Sequence, residues 1–161
     1  MFLNLFGYYT EFFPLLKKTN NVLQPNSEPI KLKDQFKENI NPIIETIIKD
    51  LHNTNKPILT IGYGTIMLFH AFEKNEWNFK KFNLTGISIN EECREVYFPH
   101  LPFLIEESVQ ELDGCFVAQN NPGQTFMTVD RNLICGQNDS SLMMAINSFC
   151  FLITKQFLFN L

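Results

Sequence analysis

The sequence predicts an α/β fold, a layered sheet with helices packed on it, from three observations. Short β-branched runs alternate with stretches of helical periodicity from Asn41 onward. The segment PILTIGYGTI, residues 57–66, runs strand, Gly-x-Gly corner and apolar helix, which is the outline of a nucleophile elbow. The chain of 161 residues, 45% of them hydrophobic, has the size of one domain and enough apolar side chains for a core.

The first helix starts at Asn41-Pro42, an N-cap followed by proline at the first helical position, and runs to Asn53. Ile43, Ile44, Ile47, Ile48 and Leu51 give it an apolar stripe. A strand over 57–61 and a helix over 65–72 follow, then a short strand over 83–87 and a helix start at Asn90. Next come a strand over 101–105, a helix over 108–112, and a strand over 115–119. A hairpin over 124–135 turns at Asp130-Arg131-Asn132, and a long helix covers 140–153. Residues 19–34 carry prolines, asparagines and alternating charge with little apolar period and read as a linker. The Phe-rich start, MFLNLFGYYTEFFPLLKK, lacks a basic leader and a small-residue cleavage site and is too short to span a bilayer, so it predicts no targeting or spanning segment.

Charge and cysteine spacing narrow the function. A formal charge of -4 gives no positive field for counterion release, which predicts no direct nucleic-acid binding. The lysine groups at Lys31, Lys33, Lys37 and at Lys74, Lys80, Lys81 sit among acids as solvated faces. Cys93, Cys115, Cys135 and Cys150 are too widely spaced for a CxxC knuckle and read as reduced cytosolic thiols. His52, His70 and His100 have no metal-ligand spacing, so no metal and no cofactor is expected.

At an elbow the turn lifts one side chain to the carboxyl end of the sheet. Here that position is Gly62, which has nothing to attack with, and Tyr63 follows it. Gly62 and Gly64 permit a positive φ and close strand-helix approach, so the corner reads either as a packed turn or as a degenerate elbow. Cys135 lies in LICGQN ahead of a helix, where a thiolate would be stabilised, although its strand position suits a buried apolar thiol. Glu91-Glu92 and Glu106-Glu107 could act as acid-base pairs or as solvated charges at helix starts. Gly136, Gln137 and Asn138 could line a pocket, the other reading being helix capping by Asn138 or Ser140.

Three ordered blocks carry a resemblance. LTGIS (84–88) running to Glu91-Glu92, LPFLIEESVQELDG (101–114) and DRNLICGQNDSS (130–141) resemble TGxSxxEE, PFLxEExxxxxG and DxxLxxGQNxxS of the ThiJ/PfpI class I glutamine amidotransferase-like superfamily. The likeness runs from about Ile40 to Ile153. It implies a flavodoxin-like three-layer sandwich whose N-terminal strands this chain lacks, as in a truncated isoform. The division is an unmatched segment over 1–38, a partial class I glutamine amidotransferase-like domain over 39–155, and an apolar tail over 156–161. Active members place a Cys-His pair at the elbow and a glutamate upstream; carried over, the pair falls on Gly62 and Tyr63, which implies a pseudoenzyme with no catalytic residue. The resemblance further implies a cytoplasmic scaffold that self-assembles as a homo-oligomer. It implies a subunit of the FERRY endosomal Rab-effector complex, which links messenger RNA to early endosomes and would make its membrane association indirect. The other reading is a hydrolase or glyoxalase that uses Cys135 or a missing N-terminal half.

Overall fold

The computed structural model describes residues 41–101 and 103–159. The Phe-rich start, the linker and the unmatched segment over 1–38 lie outside the described residues, as do the last two positions of the apolar tail.

Helix α1 (Pro42–Asn53) forms where its cap predicts: Asn41 Oδ1 accepts from Ile43 N and Ile44 N at 3.0 and 3.3 Å, and Pro42 needs no partner for a missing N–H. Its stripe turns Ile44, Ile48 and Leu51 to the core, whereas Ile43 is 69% exposed. Strand β1 (Ile58–Ile61) follows and leads into a nine-residue 3-10 helix, Gly62–His70. The expected helix over 65–72 therefore starts three residues earlier and stops at His70. Phe72 instead enters a hairpin of β2 (Phe72–Glu73) and β3 (Glu76–Trp77), turned by Lys74 and Asn75 at φ 48° and 67°.

Beyond the hairpin come β4 (Asn83–Leu84), the short helix α2 (Ile89–Glu92), helix α3 (Ile105–Glu111) and β5 (Cys115–Phe116), which pairs parallel with β4. The expected strand over 101–105 does not form. Leu101, the residue before Pro102, and Leu104 are extended but join no sheet, and Ile105 already opens α3. An apolar run that reads as a strand is here the approach to a helix, packing Phe103 and Ile105 on the core.

Strands β6 (Met127–Asp130) and β7 (Leu133–Gly136) form the expected hairpin, turned by Arg131 at φ 55° and Asn132. Strand β7 pairs parallel with β1, Ile58 opposite Leu133 and Ile61 opposite Gly136, so the main sheet has the order β1-β7-β6. All four β7 residues are buried, as a central strand requires. Helix α4 (Leu142–Phe159) lies over β1 and β7 and extends six residues past the expected end, taking in most of the stretch read as an apolar tail. The core gathers Phe69, Trp77, Phe79, Leu84, Ile105, Val109 and Leu133, with Trp77 Nε1 donating to Leu68 O at 2.7 Å.

Candidate functional site

Ile61 ends β1 with extended dihedrals, and Gly62 then turns at φ 52°. A Cβ at Gly62 would sit 3.6 Å from Gln137 O, an ordinary contact, so glycine is needed there for its backbone angle and not for space. Space governs the facing loop: a Cβ on Gly86 would lie 3.0 Å from Gly62 O and 3.1 Å from Thr65 Oγ1. Thr65 Oγ1 donates to Thr85 O at 2.9 Å and shares a 3.2 Å bond with Thr60 Oγ1. The corner is thus tied to the Thr85-Gly86 loop by side-chain and backbone packing. Tyr63 OH lies 3.1 Å from Tyr97 OH. Gly64 is buried.

The second group of expected site residues closes the same end of the sheet. Gly136 lets β7 meet β1 and α4, since a Cβ there would fall 2.6 Å from Ile61 Cδ1 and 3.1 Å from Ser141 Cβ. Gln137, fully buried, accepts from Gln119 N at 2.8 Å and donates to Glu91 Oε2 at 2.8 Å. Asn138 donates to Glu91 Oε1 at 2.6 Å and to Gln124 O at 3.0 Å, and its Oδ1 accepts from Ser141 Oγ at 2.9 Å. Asn138 flanks the short 3-10 turn Asp139–Ser141 but makes no capping bond with its side chain. For Asn138 the capping reading gives way to a polar network.

Glu91 is the hub of that network. Ser88 is the N-cap of α2, and Ser88 and Glu91 form a capping box, with Ser88 N and Oγ 3.1 and 2.8 Å from Glu91 Oε2. Gly123 N adds a bond to Oε1 at 3.0 Å, so the carboxylate accepts five hydrogen bonds. Burial works to raise its pKa, but the donors from Gly123, Asn138, Gln137 and Ser88 outweigh burial and hold the carboxyl below the usual range.

Glu92 has the opposite environment. It is 1% exposed, and its Oε2 has no hydrogen-bond partner. Burial, with the charges of Glu106, Glu107 and Glu91 adding to it, pushes its carboxyl up to about 8. The reading of Glu91-Glu92 as solvated helix-start charges is therefore corrected: both are buried, one satisfied and one not. The S-x-x-E spacing was the sequence signal for the first; nothing in the sequence marked the second.

Cys135 is wholly buried in β7, and burial pushes its thiol up to about 11. His70 is buried, and its Nδ1 accepts from Asn41 N at 3.2 Å. Among the described residues, no three His, Cys, Asp or Glu side chains gather where they could hold a metal ion.

No family model matches the chain. It is 36% identical over 107 residues to glutamine amidotransferase-like class 1 domain-containing protein 1 of Bos taurus, covering 66% of this chain and 48% of the relative. The protein of that name from Danio rerio is 30% identical over 110 residues, 68% of this chain and 51% of the relative. The chain thus spans about half the length of the relatives it matches. Among solved structures, the rapid encystment protein of Francisella tularensis superposes with a TM-score of 0.64 at 24% identity, over 68% of this chain and 48% of that one. Glyoxalase III of Candida albicans gives 0.62 at 12% identity, over 66% and 47%. These two likenesses fix the fold as the ThiJ/PfpI type. The sequence matches place the chain in the glutamine amidotransferase-like class 1 domain family.

Proposed function

We propose that this chain is a noncatalytic scaffold subunit, a pseudoenzyme that keeps the elbow as a packing joint. The observation that carries the reading is Gly62 at the apex, φ 52°, where an attacking side chain would stand. Tyr63 beside it turns its hydroxyl to Tyr97. The polar residues of the matched blocks spend their donors on Glu91, which ties α2 to the end of β7 and leaves those amides engaged with protein. The nearby thiol, Cys135, is buried and held protonated at neutral pH, so it lends no support to the hydrolase or glyoxalase alternative.

As a subunit, the chain would self-associate and work through protein partners in the cytoplasm. The FERRY complex on early endosomes is the assembly we propose, with other subunits making the RNA and membrane contacts. An acidic chain of net charge -4 suits that division. The test is affinity recovery of the tagged chain from cells, probed for FERRY subunits and an early-endosome marker. Stoichiometric recovery of those subunits is the expected result. Their absence, from cells in which the untagged chain is expressed and soluble, would overturn the assignment.

A further inference from the structure

Glu92 stands between a fixed element and a loose one. Before it, Glu91 takes its hydrogen bonds from Ser88, Gly123, Gln137 and Asn138, which pin α2 to the end of β7. After it, residues 93–101 lead across the surface toward α3. Their backbone bonds reach only three or four residues back: Cys93 N donates to Ile89 O, Glu95 N to Glu92 O, Phe98 N to Glu95 O and Leu101 N to Phe98 O. Residues 93–97, Pro99 and His100 are exposed, Val96 at 94%, and Phe98 is half-buried. The segment is tied to the corner by Tyr97 OH, 3.1 Å from Tyr63 OH at an exposed position. A stretch with local bonds and little buried apolar surface opens at less cost than the core unfolds.

At the root of this segment the Glu92 carboxyl is buried, and its Oε2 accepts no hydrogen bond among the described residues. The charged groups that bear on it are all acids: Glu91 on its own helix, and Glu106 and Glu107 at the start of α3. Arg94 and His100 of the segment are exposed, and neither donates to Oε2. An ionised carboxylate at this place would have no donor on Oε2 and three like charges around it, so ionisation requires that it reach water. The Glu91 bonds hold α2 where it is. The path to water is therefore displacement of the residues that follow. We propose that residues 93–101 are a pH-gated strap, closed while Glu92 holds its proton and released when it ionises, parting Tyr97 from Tyr63 at the corner.

The sign follows from the two proton affinities. In the closed strap the carboxyl keeps its proton up to about pH 8, whereas in the opened strap it loses it at the ordinary value of 4.5. Closure is therefore at full strength below pH 4.5, the open population grows about tenfold per pH unit above it, and the rise ends beyond about pH 8. This opening is local: it spares the sheet and α4. It does not rest on the scaffold reading, since neither loss of FERRY binding nor an enzymatic activity would alter the environment of Glu92.

Hydrogen exchange of the whole chain tests the strap. Protection of the amides of residues 93–101, taken relative to an unstructured peptide at each pH, should fall about tenfold per unit between about pH 5.5 and 7.5. Low urea should leave that exchange unchanged while speeding exchange in β7, which requires global unfolding. Glu92→Gln should abolish the pH dependence, and Tyr97→Phe should raise opening by roughly 5-fold at every pH with the slope kept. Wild-type protection that ignores pH overturns the proposal, as does a slope that survives in Glu92→Gln or a Tyr97→Phe variant that opens no more often. Strap exchange that follows urea as β7 does would assign the effect to global unfolding and overturn it equally. The wild-type slope and urea response decide the matter even where a variant fails to fold.

Discussion

Asn138 Nδ2 lies 2.6 Å from Glu91 Oε1, closing a span of 47 residues between helix α2 and the end of β7. The bond joins two of the three sequence blocks by which the family is recognised. It assigns them a shared structural duty: one carboxylate, taken out of water, holds the donors of Ser88, Gly123, Gln137 and Asn138 in place.

Removing the hub should therefore cost more than a surface glutamate would. Glu91→Ala leaves the Gln137 and Asn138 amides buried without their acceptor, a loss of about 2–4 kcal/mol. Chemical denaturation checks it, and a loss under about 0.5 kcal/mol, as at ordinary surface sites, would refute the network.

Glu92 should make stability fall as pH rises. Its folded pKa of about 8 exceeds the value of 4.5 for the free side chain, so between these values the folded chain keeps a proton that the unfolded chain has lost. The favourable contribution is whole below pH 4.5 and is lost through pH 8 at up to about 1.4 kcal/mol per unit. Glu92→Gln should flatten this slope and be more stable than the wild type at pH 8. Denaturation midpoints across that range, measured for both proteins, are the check; parallel curves would contradict the burial assigned to Glu92.

The corner itself should be sensitive to backbone angle. Gly62→Ala forces an L-residue to φ 52° and should destabilise by about 1–2 kcal/mol, although its Cβ meets only an ordinary contact. Gly136→Ala should destabilise by about 1–3 kcal/mol for a different reason, because its Cβ meets Ile61 at 2.6 Å. Thermal melts of the two variants distinguish the causes when Ile61→Val is added: the smaller side chain should relieve Gly136→Ala and leave Gly62→Ala unchanged.

Much of this was legible in the sequence because the signals are local. Asn41-Pro42 announces a helix start through groups within four residues, and Gly62 announces a positive φ by having no Cβ. The 101–105 stretch misled because an apolar run before a helix has the same pattern as a strand, and only pairing distinguishes them. The β2-β3 hairpin escaped for the opposite reason: Lys74 and Asn75 turn it without a glycine. Glu92 was illegible in principle, since two adjacent glutamates look alike until the fold gives one its donors and denies them to the other.

The noncatalytic reading faces its most direct test in a rate. Purified chain should be assayed for consumption of methylglyoxal and for hydrolysis of an activated acyl ester, beside Cys135→Ala. With glycine at the apex and the Cys135 thiol buried and held up to about 11, both proteins should give the uncatalysed rate. A wild-type rate well above background that disappears in Cys135→Ala, with the variant still folded, would contradict the account and make the thiol a nucleophile.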